Sequence, residues 1–370
     1  MMKLNDSNNR VGNMVKCVCL LMVVGFSSAK SYAYNLPSCG VSSIDLSKFN
    51  QYEDPHPLLY LDERYNSGVF RIFYTKKGMH AIKDTRDDDR SGVPDYIENI
   101  AIQANAAYDI YNSLGFKNPL NSSAFNGAKY IGISVYDLEG YNGLSYDKAW
   151  SYPKHPLIGQ DCGLQIRLSN NMRGFPGTWS IPAHELFHLY QYGYARMKPT
   201  WYLEGMARWA EQAIRDSTPY RDGKMYLPST QNEVKNEVFC ESYDVNRLFG
   251  RLSVITGSGY GSIPLPGSLD EMTYINHDMV VKDNRFKGVS FVKKVLDRMS
   301  KESDIISAEK GWNPYQWKES DQKSLEFYWP VIDVIKNALR ASDYFPYEDE
   351  VESFLSVKPF PFFNKETECP

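Results

Sequence analysis

The segment HELFH, from His184 to His188, places two histidines four residues apart. On a helix, side chains at this spacing lie on one face, so that both imidazoles can bind one metal ion. Glu185 is displaced around the helix and can reach a water molecule beside that ion without binding the ion itself. Ser180 can cap such a helix, and Pro182 is tolerated in its first turn. The pattern predicts a hydrolytic metal site with Glu185 as the general base.

Zinc catalysis needs three protein ligands and one open coordination position. Gln191 and Tyr194 exclude the metzincin pattern, in which a third histidine follows closely. We expect the third ligand on a second helix, predicted over residues 200–215, where the first candidate is Glu204. The alternative is Glu211, which shares that face and could instead hydrogen-bond a ligand imidazole. Together with the two histidines, Glu204 completes the predicted zinc site.

Two further expectations concern the surroundings of this site. Gly205 and Ala207 are small, so we expect them to let the second helix approach the first one closely. Hydrolysis of a carbonyl compound also needs a donor that stabilises the oxyanion. The candidate is Tyr243, at the start of the following predicted helix, with Tyr194 and His277 as alternatives.

Residues 87–98 contain a second set of possible metal ligands, all of them oxygen atoms. Their order, DDDRSGVPDYIE, is similar to the calcium loop of an EF-hand, with glycine at the sixth position. The predicted Ca²⁺ ligands are Asp87, Asp89, Ser91, the carbonyl of Val93, Asp95 and Glu98. Pro94 stands where a paired EF-hand has an aliphatic residue, and no helix is predicted before the loop. We therefore expect a structural calcium site that anchors the next helix; the alternative is a solvated acidic turn.

Strands are predicted early in the chain and mostly helices after Thr178. β-Branched, aromatic and alternating residues predict strands at 69–74, 129–136 and 163–168. Apolar periodicity predicts helices at 96–114, 181–195, 200–215, 241–256, 288–300 and 322–341. Loops are predicted at 216–240 and 257–285, and an extended strap from Phe345 onward. This order indicates an α+β fold, in which a small mixed sheet precedes a helical half with the zinc site.

Residues 1–33 have the features of a secretory signal peptide. Lys3, Arg10 and Lys16 precede a short apolar stretch, and small residues at Ser31 and Ala33 suit a signal peptidase. The apolar stretch is too short for a membrane-spanning helix, which needs about 20 residues. We predict a cleaved signal, a secreted or periplasmic protein and no stable membrane insertion.

The mature chain is predicted to have two parts that form one catalytic domain, a strand-rich part at 34–175 and a helical part at 176–370. Four cysteines remain in it, and an even number in an exported chain suggests two disulfides. These cysteines are Cys39, Cys162, Cys240 and Cys369, and their spacing leaves all three pairings open. The net charge of −4, without a long basic run, argues against a nucleic-acid partner. The oligomeric state does not follow from the sequence.

Taken together, these motifs resemble a family of secreted bacterial zinc metallopeptidases of the gluzincin type. The similarity covers residues 69–215 and, more loosely, 241–256, and its motifs are FYTKKGMHAI, DDDRSGVPDYIE, HELFHLYQYGY and WYLEGMARWAE. The resemblance implies a zincin-like fold, the same three zinc ligands and the same catalytic base. Ser91 stands where the family has Asn or Asp. The resemblance does not indicate a substrate.

We therefore predict a zinc metalloendopeptidase that acts on a peptide or protein. Strand 163–168 is expected at the edge of the cleft, where an extended substrate could pair as an added strand. One alternative is a hydrolase of non-peptide amides, and another is a secreted binding or surface protein with structural zinc and calcium. A structural zinc site normally has four protein ligands, and no fourth is evident in the sequence, which favours catalysis.

Overall fold

The computed structural model of the chain describes residues 38–41, 57–177, 179–215, 226–257, 262–344, 346–360 and 369. The predicted signal peptide lies outside these residues. So do residues 216–225 of the first predicted loop and residues 361–368 of the predicted strap.

A mixed sheet of seven strands occupies the first half of the chain. The strands are β1 (Gly40–Val41), β2 (Glu63–Ser67), β3 (Phe70–Tyr74), β4 (Tyr130–Tyr136), β5 (Gly143–Ser145), β6 (Trp150–Tyr152) and β7 (Gly159–Ser169). Their order is β1-β6-β7-β4-β3-β2, and β5 pairs separately with β7. Strands β3, β4 and β7 run parallel, and β1 runs parallel to β6, whereas β2 is antiparallel to β3 and both β5 and β6 are antiparallel to β7. Every residue of β4 is buried, as expected for a central strand covered on both faces.

The helices follow the sheet, apart from one that lies between β3 and β4. They are α1 (Asp95–Ser113), α2 (Ile181–Tyr194), α3 (Thr200–Ala210), α4 (Gln231–Val234), α5 (Asn246–Thr256), α6 (Val289–Lys310), α7 (Glu319–Gln322), α8 (Tyr328–Arg340) and α9 (Glu348–Ser356). β8 (Ser262–Pro264) lies within the second predicted loop and pairs antiparallel with β9 (Arg285–Lys287), which begins at the last residue of that loop. The order of strands and helices agrees with the predicted α+β class.

The core brings α1 and α2 onto the sheet. α1 buries Ile97, Ile100, Ala101 and Ala104, whose spacing of three and four residues places them on one face. It packs against β3 and α2, while α2 also contacts β5 and β7. α3 lies between α2 and α5. This packing places the second half of the chain directly against the sheet at β5.

The prediction of an extended strap from Phe345 onward is wrong for residues 348–356, which form α9. Val351 and Phe354, three residues apart, are both fully buried on one face of this helix. Glu350 in its first turn accepts two hydrogen bonds from the Arg251 guanidinium on α5. A carboxylate in that position is also favoured by the helix dipole. The prolines and aromatic residues around this short helix hid its apolar spacing.

The prediction of a loop at 216–240 is also wrong for part of the segment that the structure describes. Residues 231–239 are helical, as α4 and one wider turn. Thr230 Oγ1 accepts a hydrogen bond from the Glu233 main chain, and the Glu233 carboxylate accepts one from the Thr230 main chain. This reciprocal cap is the expected structure of a Thr-x-x-Glu sequence, so the start signal was present but not recognised.

Two disulfides hold distant parts of the chain together. Cys39 is bonded to Cys162 and ties β1 to β7, while Cys240 is bonded to Cys369 near the C-terminus. The structure thus selects one of the three pairings that the sequence left open. Within the described part of the chain, no helix is both long and apolar enough to span a membrane.

Candidate metal centre and active site

Three predicted zinc ligands lie together where α2 meets α3. His184 Nε2 is 3.1 Å from His188 Nε2 and 3.1 Å from Glu204 Oε2. His188 Nε2 is 3.6 Å from Glu204 Oε1. Ligand atoms placed about 2.0–2.1 Å from one tetrahedral ion lie about 3.3–3.4 Å from each other. These three side chains are therefore spaced so that they could hold one metal ion.

Each histidine is oriented through its other ring nitrogen. His184 Nδ1 lies 2.7 Å from Glu211 Oε1, and His188 Nδ1 lies 2.8 Å from Gln191 Oε1. Both partners are acceptors, so each Nδ1 carries the proton and each Nε2 is left to bind a metal ion. Glu211 thus takes the orienting position rather than the ligand position. Gln191 follows His188 by about one helical turn, and no orienting role was predicted for it from the sequence.

Glu211 is itself held in place within the core. Ser180 Oγ donates to Glu211 Oε2 at 2.6 Å, and Arg215 donates to the same oxygen at 2.9 Å. The sequence suggested that the Ser180 side chain caps α2, but it makes no capping hydrogen bond. It instead supports Glu211, the partner of His184.

The electrostatics of the cluster favour a cation at its centre. Burial alone would lower the pKa of His184, but the hydrogen bonds that it donates to Glu204 and Glu211 outweigh this effect and raise the pKa to about 10. Burial would raise the pKa of Glu204, but the two imidazoles hold it far below its usual range. A bound metal ion can take the place of the second proton on the His184 ring. Two neutral imidazoles and one carboxylate are also ligands that suit zinc.

Glu185 lies beside the three ligands and underneath β5. Ser145 Oγ is 2.8 Å from Glu185 Oε2 and 2.7 Å from the main-chain oxygen of Glu185. A Cβ atom on Gly143 would come within 2.5 Å of Glu185 Oε1, so a larger residue at this position of β5 would displace the Glu185 side chain. Burial raises the pKa of Glu185. A carboxyl group with a raised pKa beside the metal ligands is suited to general base catalysis.

The edge of the sheet at this site is β5, and the prediction that residues 163–168 form it is wrong. β7 pairs with β4 on one side and with β5 and β6 on the other. The hydrogen bonds Ser169 N to Asn142 O and Tyr146 N to Gln165 O flank the β5 pairing. In an antiparallel pair these contacts alternate, so the main-chain groups of Gly143 and Ser145 point away from β7. β5 has only three residues, too few for a recognisable alternation in the sequence.

Of the three candidates for oxyanion stabilisation, the structure places Tyr243 against the metal cluster. Its ring centroid is 5.8 Å from that of His184, and its hydroxyl bonds Glu204. Burial and the charge of Glu204 raise the pKa of Tyr243 to about 12, so its hydroxyl keeps its proton at neutral pH. Tyr194 instead accepts a hydrogen bond from the Lys117 main chain, and His277 lies in the turn at 274–277.

Gly205 determines how closely the Tyr243 segment approaches α3. A Cβ atom on Gly205 would lie 2.9 Å from Val245 Cβ and 3.0 Å from its carbonyl carbon. The small residue therefore allows contact with the turn Tyr243–Val245, not with α2 as the sequence suggested. Glu204 and Tyr243 reach the same place because of this close contact.

The acidic loop before α1 forms a second candidate metal site. Asp87, Asp89, Asp95 and Glu98 each offer an oxygen atom, and these atoms lie within 4.8 Å of one another. Gly92 has φ +89°, the left-handed conformation that the sharp turn at this position requires. A strand precedes the loop and α1 follows it, with no helix in residues 75–94. This group could bind calcium, as predicted.

The other two predicted calcium ligands also lie in this loop. Ser91 Oγ accepts a hydrogen bond from Val93 N at 3.1 Å, lies 3.3 Å from Val93 O and also bonds Glu98. Glu98 is 8% exposed, and its Oε2 has no hydrogen-bond donor within the described part of the chain. Burial raises the pKa of both Glu98 and Asp95. A cation would satisfy this buried oxygen and neutralise the clustered carboxylates.

We compared the chain with protein families, curated proteins and solved structures. No family model, no curated protein and no solved structure matches the chain. The resemblance to gluzincin-type metallopeptidases thus rests on the motifs in residues 69–215 alone.

Proposed function

We propose that this protein is an exported zinc metallopeptidase with a zincin-like fold. The observation that carries the proposal is the position of Glu185. This buried carboxyl group lies next to three convergent metal ligands, is not one of them, and is held by Ser145 on an edge strand. The two disulfides support export, because disulfides persist mainly in oxidising compartments.

Each side chain around the cluster has a role in this mechanism. Zinc bound by His184, His188 and Glu204 would polarise the scissile carbonyl and lower the pKa of a bound water to about 7. Glu185 takes the proton of the attacking water and later passes it to the leaving amine. Tyr243, which keeps its proton at neutral pH, donates a hydrogen bond to the oxygen that becomes negatively charged.

The edge strand β5 supports a peptide as the substrate. Main-chain groups of Gly143 and Ser145 point away from the sheet, beside Glu185. An extended peptide can pair with such an edge as an added strand, which brings one of its peptide bonds over the metal cluster. This arrangement favours the peptidase over a hydrolase of small amides, for which an exposed strand edge has no use.

The alternative of a binding or surface protein with structural zinc is less well supported. A structural site would be closed by a fourth protein ligand, and the described residues offer only three side chains to the cluster. Calcium at the acidic loop has a structural role in our proposal. It would fix the start of α1, whose Tyr111 hydroxyl bonds the main chain of Ala183, one residue before the first zinc ligand.

The test is digestion of a mixed peptide library by the purified protein and by a Glu185→Gln variant, with the zinc content of both determined. The glutamine can still accept a hydrogen bond from Ser145 but cannot take a proton, so the fold and the metal ligands are preserved. We expect about one zinc per chain in both proteins and a loss of at least about 10²-fold in cleavage rate in the variant. Zinc in both proteins with no cleavage by either would refute the proposal.

A further inference from the structure

A cavity of about 310 Å³ lies beyond the end of β5. Its walls come from the segment between β5 and β6, from residues 124–126, from β1 and from the segment before α7. Four aromatic residues line it: Phe125, Trp150, Tyr315 and Trp317. Ligand pockets range over about 300–1,000 Å³, so this cavity has the size for one ring-shaped group rather than a long ligand.

Gln322 lines the cavity, and two hydrogen bonds hold its side-chain amide in place. Its Nε2 donates to Asp147 Oδ2 at 3.1 Å and to the main-chain oxygen of Trp317 at 2.9 Å. Because both partners accept, the orientation of the amide is determined. Its Oε1 then has no donor among the described residues, although Gln322 is only 2% exposed. That oxygen has almost no accessible surface, so a ligand in the cavity would meet the aromatic walls and the Asp147 carboxylate rather than the Gln322 oxygen.

The charge of Asp147, which also lines the cavity, is already balanced. Lys198 Nζ lies 2.9 Å from Asp147 Oδ2, and Arg196 lies 3.9 Å from the same oxygen. Both cationic side chains are buried. A cationic ligand would therefore meet no free negative charge. Aromatic walls combined with acceptors suit a neutral ring that carries a donor, such as the side chain of tyrosine or tryptophan.

Short contacts connect this cavity to the metal centre. The ring of Tyr192 stacks on that of His188 at 5.9 Å, and Lys198 Nζ lies 4.6 Å from the Tyr192 ring. Asp147 also follows Ser145, the partner of Glu185, by two residues. A peptide paired along β5 advances about 3.3 Å per residue, so its side chains reach the cavity about two to four residues from the bond beside Glu185.

We propose that this cavity is a specificity subsite, which binds a tyrosine or tryptophan side chain of the substrate about two to four residues from the scissile bond. The inference rests on the proposed peptidase function. Trp150 and Trp317 are then specificity-determining residues, and a substrate without the aromatic side chain is cleaved less efficiently.

The first test compares the cleavage profiles of two alanine variants. Ala124→Leu fills part of the cavity, whereas Ala128→Leu adds the same atoms at a similarly half-buried alanine of the same loop that does not line it. We expect the unmodified protein and Ala128→Leu to prefer Tyr or Trp over Ala about tenfold at one position, as filled pockets do. Ala124→Leu should lose this preference, whereas Ala128→Leu should cleave peptides with Ala at that position at the rate of the unmodified protein.

The second test measures binding without cleavage. Zinc-loaded Glu185→Gln protein is titrated with N-acetyltyrosinamide and with N-acetylglucosamine, followed by ligand-observed NMR, with and without Ala124→Leu. Binding of the tyrosine amide that Ala124→Leu abolishes, together with the aromatic preference, supports the subsite. Cleavage without that preference overturns the subsite and leaves the peptidase intact. Binding of the sugar alone overturns it in favour of a glycan site. Binding without any cleavage shows that the peptidase proposal has failed, and the subsite with it.

Discussion

Ser145 Oγ lies 2.8 Å from Glu185 Oε2 and connects the edge strand β5 to the proposed catalytic base. The same hydroxyl is 2.7 Å from the main-chain oxygen of Glu185, so its single proton is shared between two acceptors of one residue. Gly143, two residues earlier on the strand, packs directly against the same carboxyl group. The strand proposed to hold the substrate therefore also positions the group that acts on it.

Replacing Ser145 with alanine should lower kcat with little change in zinc content. The Glu185 carboxyl group would lose the hydrogen bond that orients it, while the three metal ligands keep their partners. Misplacement of a catalytic group by a fraction of an ångström commonly costs about 10–10²-fold in rate. Ser151→Ala, which removes a buried hydroxyl from β6, is the matched control and should retain activity. Equal kcat in the two variants would show that Ser145 does not position the base.

Gly205→Ala should disturb the site through Val245. The new methyl group would lie 2.9–3.0 Å from Val245, so the turn that carries Tyr243 must move. Overpacking of this kind costs about 1–3 kcal/mol of stability, and we expect a lower kcat with zinc still bound. Gly193→Ala is the matched control, because its methyl group would meet nothing closer than 3.5 Å. Thermal unfolding and kinetics of both variants test this, and an active, fully stable Gly205→Ala protein would contradict it.

The parts of the site that the sequence predicted are those with regular helical spacing. His184 and His188 share a face of α2 because they are four residues apart, and Glu204 follows on α3 at the expected place. The long strands β3, β4 and β7 were also recognisable from runs of β-branched and aromatic residues. In each case a local repeat matches the geometry of the element, so no knowledge of the tertiary fold was needed.

The parts that the sequence missed depend on contacts between distant segments. β5 is too short to show a pattern, and it becomes a strand only because β7 pairs with it. The position of β5 beside α2, which makes Ser145 a partner of Glu185, likewise depends on the tertiary fold. The contact of Gly205 with Val245 joins residues 40 positions apart, and no local signal distinguishes it from a contact with α2. The helix α9 was concealed by neighbouring prolines.

The metal-free protein should lose stability as the pH rises from about 6.5 to about 10. The pKa of His184 is raised from 6.5 to about 10 in the fold, so the stability from its bound proton is complete below 6.5 and lost above 10. The pKa of Glu204 is lowered from 4.5, so its contribution is present above 4.5 and lost towards lower pH. The stability of the metal-free protein should therefore be highest between about pH 4.5 and about pH 6.5.

Zinc should remove this dependence, because it replaces the proton on His184. Its apparent affinity should rise about tenfold per pH unit in that range, since binding releases one proton. Thermal unfolding from pH 5 to 10, with chelator and with zinc, measures both effects, and Glu204→Gln isolates the contribution of the pair. A metal-free protein whose stability rises steadily up to pH 10, equally in Glu204→Gln, would rule out this account of the cluster.

Calcium should stabilise the fold without entering the chemistry. Glu98 Oε2 is buried without a donor among the described residues, and the Glu98 carboxylate and three aspartates repel one another, so a bound cation relieves both costs. A ligand at about 100 times its Kd adds about 2.7 kcal/mol to stability. Calcium should thus raise the Tm, and EGTA should reverse the rise without removing zinc-dependent activity at low temperature.

Two variants of the loop separate calcium binding from a general effect of acidic residues. Glu98→Gln should lose the calcium-dependent rise in Tm, because it removes a carboxylate whose buried oxygen has no donor within the described part of the chain. Asp88→Asn should keep it, because the side chain of Asp88 is exposed and lies outside the group of converging oxygens. Since α1 bonds the main chain next to His184 through Tyr111, calcium should also slow the loss of zinc on heating. Equal calcium responses of the two variants would mean that the loop is only a solvated acidic turn.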